Sequence, residues 1–448
     1  PLSPTDCNGS PYSSPSSFAL SPWFLDLAEL EKNNFIRNTF SFRDQENNTF
    51  DFKIADKLSI IAGDLLFESW PIQPENRKNE FNNWCSRNKW VEDYSIFIAL
   101  KGEFEMKAWW SWPKEFRNKN YDAIQKWLQS NKQKTIKLKL IQWHLDRQWQ
   151  KIKAFAKCRN ITLIGDLPFY VSRDSVDVWS CKNLFSITKD GDLIFQSGVP
   201  PDYFSSTGQL WGTPTYYWAK HERTNFKWWK NRFKRQFDLV DVLRLDHFRA
   251  LAGYWRVDGK AKNAISGQWI RSPGKKLLNT LKDFLNVEYL PIIAEDLGVI
   301  TDDVHNLREK FGLPGMKILQ FAFDGNDNNP YLPINIAGNN WVVYTGTHDN
   351  STTKSWWNNL EDHIRKDIVK RYGNMNDPSW YLIEMGIKTS AKLFIAPIQD
   401  ILCLDDDSRF NTPGTIGNNW KWRINIPIED VENAIKRFSL LGKNNSRT

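Results

Sequence analysis

Three acidic residues of this chain follow short apolar runs of the kind that form buried strands. They are Asp246, Glu295 and Asp349. Carboxylates brought to one place repel one another, so one should keep its proton near neutral pH while another stays charged. Cleavage of a glycosidic bond needs both protonation states, because a carboxylic acid protonates the leaving oxygen while a charged carboxylate contacts the anomeric carbon. The three residues therefore fit chemistry on sugars.

The neighbours of these carboxylates fit the same chemistry. Side chains alternate along a strand, so Arg244 and Asp246 should share one face, with Asp246 nearer the C-terminal end. A carboxylate beside a fixed guanidinium stays ionised, as a nucleophile must. His348 and Asn350 flank Asp349. A single acidic residue after a strand is more often a helix cap or a loop anchor, so the prediction depends on the whole set.

Motifs of other enzyme classes are missing from the sequence. His221-Glu222 has Asn225 where a zinc protease needs its second His, and residues 273–276 lack the first Gly and the hydroxyl of a phosphate-binding loop. The sequence contains neither a GxGxxG nor a GxSxG motif. The five cysteines are scattered without CxxC spacing, which indicates neither a disulfide framework nor a zinc site. We expect no metal ion and no organic cofactor.

The elements that carry the acidic residues alternate in type along the chain. Apolar runs typical of strands buried on both faces occur at 161–166, 239–246, 290–295, 316–321, 341–346 and 392–397. Helical patterns occur at 142–157, 273–285 and 301–311. Acidic residues after several different strands favour a closed barrel over an open sheet. The sequence therefore predicts an α/β fold, a (β/α)8 TIM barrel with mainly helical insertions.

Two segments depart from this alternation. Residues 28–140 show helical spacing and few strand-like runs, and we predict a mainly helical insertion there. The segment 198–214 is rich in Gly, Pro and Ser but also holds three aromatic residues, which favours a binding loop or lid. The prediction for 141–448 is the remainder of the catalytic barrel, including this segment.

Composition narrows the class of protein. The chain has 448 residues, 23 of them Trp, and planar aromatic rings stack well on sugar rings. The net charge is +8, and the basic stretch 227–235 alternates aromatic and charged residues, which favours a solvated helix over a binding site for single-stranded nucleic acid. No apolar run reaches the roughly 18 residues of a membrane span. We expect no nucleic-acid partner, no membrane and an intracellular location.

Ordered motifs make the sugar-active hypothesis specific. They lie at 165–171 (GDLPFYV), 177–179 (DVW), 198–204 (GVPPDYF) with 208–212 (GQLWG), 244–249 (RLDHFR), 294–298 (AEDLG), 312–317 (GLPGMK), 345–350 (TGTHDN), and 413–415 (PGT) with 417–423 (GNNWKWR). In this order they resemble the signature motifs of the amylomaltases, the 4-α-glucanotransferases of the α-amylase clan. The resemblance covers nearly the whole chain.

This resemblance implies a retaining transglycosylation. Maltooligosaccharides and α-1,4-glucans would be donors, and glucose or a glucan the acceptor. The resemblance also implies a location in the cytoplasm, with the plastid stroma as an alternative. Asp246 resembles the nucleophile of the family, Glu295 the general acid/base, and Asp349 the third carboxylate that steadies the distorted sugar. The residues expected to contact the substrate are Tyr12, Asp166, Tyr203, Phe204, Trp211, Arg244, His247, His348 and Asn350.

The chain also departs from the family pattern. It reads LPIN at 332–335, where amylomaltases usually read LPHN. The resemblance further implies that residues 1–27 form the end of barrel strand 2 and a glucan-binding loop, so that the first strand, the first helix and part of the second strand would be lacking. Two alternatives stay open. One is an α-glucan hydrolase of the amylase clan, and the other is a non-catalytic starch-binding protein. The presence of all three acidic residues argues against the second.

Overall fold

The computed structural model describes residues 1–37, 49–201, 205–298 and 300–447. These residues form two compact units. The first holds the described residues of Pro1–Phe42, Phe52–Ile292 and Thr301–Leu307, and the second those of Arg43–Asp51, Ile293–Ile300 and Arg308–Thr448. Within the described ranges, every helix is too short or too polar to cross a membrane.

Helices occupy most of the first unit up to residue 157. They are α1 Leu27–Lys32, α2 Phe52–Ser69, α3 Glu75–Arg87, α4 Trp90–Glu103, α5 Lys114–Arg117 and α6 Tyr121–Lys157. The side chains of Phe97 and Leu100 on α4 are fully buried, as is Leu140 on α6, because α4 packs along the long helix α6. This helical content agrees with the prediction for 28–140, whereas the domain boundaries stay a prediction.

The remainder of the first unit alternates strands and helices. The strands are β1 Ile164–Leu167, β2 Phe195–Val199, β3 Gln209–Pro214, β4 Val242–Leu245, β5 Gly253–Asp258 and β6 Gly267–Arg271, and β7 Ile292–Ala294 begins there. The helices are α7 Val176–Ser180, α8 Trp218–Arg223, α9 Lys227–Leu239 and α10 Gly274–Leu285.

The strands β1 and β4 pair in parallel, with Asp166 opposite Arg244. The same sheet continues from β4 to β7. The amide of Leu243 on β4 donates a hydrogen bond of 2.9 Å to the carbonyl of Pro291, just before β7. Leu243 and Leu245 are fully buried while Arg244 between them is only partly buried. The alternation therefore sends the leucines into the core and Arg244 to the opposite face.

The segment 198–214 is only partly a loop. Its two ends belong to β2 and β3, which pair antiparallel within the four-stranded sheet β3-β2-β5-β6. Gly198 takes part in this pairing at a point where a Cβ atom would come within 2.2 Å of the carbonyl oxygen of Gln209. Residues 198–199 and 209–214 of the expected loop are thus strand residues, and Tyr203 and Phe204 lie outside the described residues.

The basic stretch 227–235 forms the helix α9, but one of its faces is buried rather than solvated. Trp229 and Phe233 are inside the first unit, with 0% and 1% of their surfaces exposed. Arg232 is buried as well, because its guanidinium donates to the carbonyls of Pro168 and Phe169 at 2.6 and 3.0 Å. The aromatic residues are therefore used in packing, which removes the basis for a nucleic-acid site here.

The second unit holds a three-stranded parallel sheet of order β10-β9-β8. Its strands are β8 Gly315–Ile318, β9 Trp341–Tyr344 and β10 Leu393–Ile395. The helices are α11 Asp302–Lys310, which begins in the first unit, α12 Thr353–Asn359, α13 Asp362–Tyr372, α14 Pro378–Ile387, α15 Ile398–Ile401 and α16 Ile428–Asn444. Each of the six predicted apolar runs overlaps one of the strands β1, β4, β7, β8, β9 or β10.

Two histidines in the first unit predict how stability depends on pH. Burial lowers the pKa of His144 on α6 to about 3 and that of His221 on α8 to about 4, from 6.5. Below pH 6.5 the unfolded chain therefore binds protons that the folded chain does not, so stability is complete above that pH and is lost as the pH falls toward these values. Each histidine contributes up to about 1.4 kcal/mol per pH unit within this window.

We expect the free energy of unfolding, measured by urea titration, to be lower near pH 5 than near pH 7. A His144→Gln/His221→Gln variant should show a smaller difference between the two pH values. His363→Gln is the matched control, because His363 is 75% exposed and should leave the difference unchanged. An identical pH dependence in the double variant and the wild type would contradict the assignment.

Candidate active site

In the first unit, one arginine joins two carboxylates at the ends of neighbouring strands. Arg244 on β4 donates to Asp166 on β1 over 2.7 Å and to Asp246 over 3.0 Å. The amide of Asp246 itself donates to the carbonyl of Leu167 at 3.0 Å, which holds the backbone at the end of β4. The predicted placement of Arg244 and Asp246 on one face is confirmed. The fork of the guanidinium fixes the orientation of both carboxylates.

Tyr12 extends this cluster. Its hydroxyl donates to the same Asp166 oxygen that accepts from Arg244. Burial, reinforced by the charge of Asp166, raises the pKa of Tyr12 well above its ordinary value, so the hydroxyl keeps its proton and acts as a donor. The N-terminal segment predicted to bind glucan therefore lies against the ends of β1 and β4.

His247 follows Asp246 in a left-handed backbone conformation, with φ of 54°. A residue other than Gly adopts this conformation at a cost, so the surrounding structure must hold it there. The His247 ring meets Trp211 edge to face, with 4.8 Å between ring centroids, and lies 6.1 Å from the Tyr170 ring. Burial, with the charge of Arg249, lowers the pKa of His247 to about 3. The imidazole is therefore neutral at physiological pH and can exchange hydrogen bonds with a hydroxyl group.

Glu295 lies in the second unit, directly after β7, and its Oε1 accepts from the amide of Leu297 at 3.1 Å. The following residue, Asp296, anchors the turn. Asp296 accepts from the amide of Met316 at 2.8 Å and pairs with Arg308 at 3.2 Å, and both side chains of this pair are buried. Gly315 permits this approach, because a Cβ atom there would come within 2.5 Å of the Asp296 carboxylate. The position of Glu295 is thus set by a buried ion pair next to it.

Asp349 lies in the same unit, in the loop between β9 and α12. Its carboxylate accepts from the Asn411 side-chain amide at 2.6 Å and lies 3.4 Å from Nε2 of His348. Arg409 donates to the backbone carbonyl of Asp349 at 2.5 Å. Within the same loop, the side-chain oxygen of Asn350 accepts hydrogen bonds of 2.9 Å from both the amide and the hydroxyl of Thr347. His348 and Asp349 are therefore held together by groups from residues 409–411.

Sequence reasoning missed Asn411 and Arg409. Asn411 lies two positions before the motif at 413–415. This closeness to one of the ordered motifs was the signal in the sequence that could have identified it. Nothing in the local pattern marks Arg409. Of the predicted catalytic and substrate residues, the structure groups Tyr12, Asp166, Arg244 and Asp246 in one cluster, Trp211 with His247 in another, and His348 with Asp349 in a third. In the described part of the chain, no three His, Cys, Asp or Glu side chains are placed to hold a metal ion.

Comparisons with known proteins show the family of the chain. The family model described as 4-alpha-glucanotransferase matches residues 1–428. A 4-alpha-glucanotransferase of Synechocystis sp. is 39% identical over 434 residues, which are 94% of this chain and 85% of the relative. A chloroplastic/amyloplastic 4-alpha-glucanotransferase of Solanum tuberosum is 38% identical over 93% of this chain and 73% of the relative.

A solved structure is similar as well. The amylomaltase from Streptococcus agalactiae, determined in complex with acarbose, superposes with a TM-score of 0.94 and is 32% identical. The match covers 100% of this chain and 91% of the solved chain. With the family model matching nearly its full length, the chain belongs to the 4-alpha-glucanotransferase family.

Proposed function

We propose that the chain transfers a segment of an α-1,4-glucan to the 4-hydroxyl of an acceptor glucan or glucose, using Asp246, Glu295 and Asp349. Family membership supports the reaction class. The observation that carries the assignment of residues is the contact of Arg244 with Asp246 at the end of β4, which orients one carboxylate as a nucleophile requires.

The first half of the reaction cleaves the donor. A carboxylate oxygen of Asp246 attacks the anomeric carbon and forms a glycosyl ester, while the bond from that carbon to the glycosidic oxygen breaks. Glu295 gives its proton to this oxygen, so the reducing-end fragment leaves with a free 4-hydroxyl. Asp349 stabilises the positive charge that develops on the sugar ring.

The second half uses the same groups in reverse. Glu295, now a carboxylate, takes the proton of the acceptor 4-hydroxyl as that oxygen attacks the anomeric carbon and displaces Asp246. Two inversions at one carbon retain the α configuration. His348 is held beside Asp349, and neutral His247 beside Trp211, so we assign both imidazoles to sugar hydroxyls. Tyr12 and Asp166 serve the same purpose next to Arg244, and Asn350, Tyr203 and Phe204 are retained as proposed substrate contacts.

Transfer exceeds hydrolysis only if water is kept from the glycosyl ester. The segment 198–214 is our candidate for this role. Trp211, on β3, is 36% exposed and touches His247, the residue next to the nucleophile. An acceptor sugar stacked on the free part of this ring would cover the ester.

Incubation with maltotriose alone tests the proposed reaction. A transferase produces glucose together with a ladder of longer maltooligosaccharides, at a constant number of reducing ends. An α-glucan hydrolase increases the number of reducing ends and forms no products longer than the substrate. A starch-binding protein without activity leaves maltotriose unchanged. The second or third result would overturn the proposal.

We also propose that the strands belong to a (β/α)8 barrel, with 28–140 as a helical insertion, 141–448 as the remainder of the barrel and 1–27 as the end of strand 2 with a glucan-binding loop. Parallel pairing of β1 with β4, and of β8, β9 and β10, supports this arrangement. The reaction would take place in the cytoplasm or the plastid stroma. The S. tuberosum relative is named chloroplastic/amyloplastic.

A further inference from the structure

One buried carboxylate ties both ends of the loop that carries Asp349. Asp400 on α15 is 1% exposed. Its Oδ2 accepts from the hydroxyl of Thr345 at 2.5 Å and from the hydroxyl of Thr353 at 2.7 Å. Its Oδ1 accepts from the backbone amide of Thr353 at 2.7 Å. Thr345 is the first residue after β9 and Thr353 is the first residue of α12, so Asp400 spans the loop 345–353.

The burial of the Asp400 carboxylate requires a physical explanation. Burial raises the pKa of Asp400, while the donors from Thr345 and Thr353 act in the opposite direction. The three donors to Asp400 are all uncharged, so burying its carboxylate is costly compared with burying an apolar residue of the same size. Packing alone does not require a carboxylate here. Three hydrogen bonds that converge on one side chain, however, hold two backbone positions at a fixed separation.

Other residues hydrogen-bond to further positions of the loop 345–353. Asp406 accepts from the amide of Thr352 at 2.8 Å, and Gln320 donates to the carbonyl of Ser351 at 3.0 Å. The contacts to Asp349 from Asn411 and Arg409 act near the middle of the loop. Gln320 also reaches both ends, because its backbone amide donates to the carbonyl of Thr345 and its side chain to the hydroxyl of Thr353, each at 3.3 Å. Among these groups of the described residues, Asp400 is the one whose side chain alone hydrogen-bonds to both ends of the loop.

We propose that Asp400 is a positioning residue for the transfer reaction, which holds the loop 345–353 so that Asp349 and His348 meet the sugar in the reactive geometry. The proposal rests on the proposed function of Asp349. Asp400 touches no substrate itself. Its effect should therefore appear in the rate of the chemical step, since a catalytic group misplaced by about 1 Å can cost roughly 100-fold in rate.

The test compares variants of the full chain in maltotriose disproportionation. Asp400→Ala removes all three acceptor contacts and should lower kcat about 100-fold with a smaller change in KM. Asp400→Asn should recover most of kcat, because its amide oxygen accepts from the Thr353 amide while its NH2 group donates to the two hydroxyls, which can turn to accept. Thermal unfolding of each variant is measured alongside.

Asp377→Ala is the matched control for stability. Asp377 caps α14 by accepting from the amide of Trp380, and α14 packs against α15. Loss of this cap should lower the melting temperature without changing kcat. If Asp400→Ala lowers the melting temperature similarly but keeps kcat within about threefold of wild type, Asp400 is only structural and the proposal is wrong.

Two further variants make every result decisive. Thr345→Val removes one donor at little change in shape, and it provides the deciding measurement if Asp400→Ala does not fold. A kcat of Thr345→Val reduced about tenfold or more then supports the proposal, and an unchanged kcat overturns it. Asp349→Ala separates the two proposals. If Asp349→Ala is nearly inactive while Asp400→Ala is not, the positioning role fails alone; if Asp349→Ala is active, the proposed function of Asp349 fails.

Discussion

Replacement of Asp246 by alanine should reduce disproportionation of maltotriose roughly 10⁴- to 10⁶-fold, which is the range expected when a covalent nucleophile is removed. The fold should persist, because Asp246 is partly exposed at the end of β4 and its loss leaves no buried charge behind. Arg244 keeps its second carboxylate partner, Asp166, at 2.7 Å. Rates are measured from the initial appearance of glucose, with thermal unfolding as the check on folding.

Asp241→Ala is the control for this experiment. Asp241 precedes the same strand at its other end, where it accepts from the amide of Leu163 at 2.9 Å. In parallel α/β folds the C-terminal ends of strands carry catalysis and the N-terminal ends contribute to stability. Asp241→Ala should therefore change stability and leave kcat nearly unchanged. Retention of more than a few per cent of wild-type activity by Asp246→Ala would falsify the assignment of the nucleophile.

Replacement of Glu295 by glutamine should have an effect that depends on the donor. With maltotriose the leaving oxygen needs a proton, so the rate should fall by roughly 10²- to 10⁴-fold, the usual contribution of general acid catalysis. With α-glucosyl fluoride the leaving fluoride needs no proton, so the first half of the reaction should stay fast. The second half lacks its base, and the glycosyl ester on Asp246 should accumulate.

Two measurements check this prediction. An initial burst of fluoride, equal in amount to the enzyme, reports the first half-reaction. The mass of the intact protein reports the trapped sugar, which should be absent in a Glu295→Gln/Asp246→Ala variant. Glu309→Gln serves as the control, since Glu309 is 66% exposed on α11. Equal losses of rate on both donors would show that Glu295 is not the acid.

The residues whose spacing is local were predicted correctly from the sequence. Arg244 and Asp246 are two positions apart on one strand, and the period of a strand alone places them on one face. The six apolar runs each overlap a strand for a similar reason, since a run of aliphatic residues is a property of consecutive residues. The order of the motifs likewise identified the family.

Only the tertiary structure showed what holds these residues. Asn411 meets Asp349 across 62 positions of sequence and Asp400 meets Thr345 across 55. The same applies to α9, where the pattern predicts a helix with one apolar face, but the burial of Arg232 depends on the carbonyls of Pro168 and Phe169, which lie far away in sequence. Periodicity reports the conformation of neighbours, whereas a contact between distant loops depends on how the elements pack, and no local pattern encodes that.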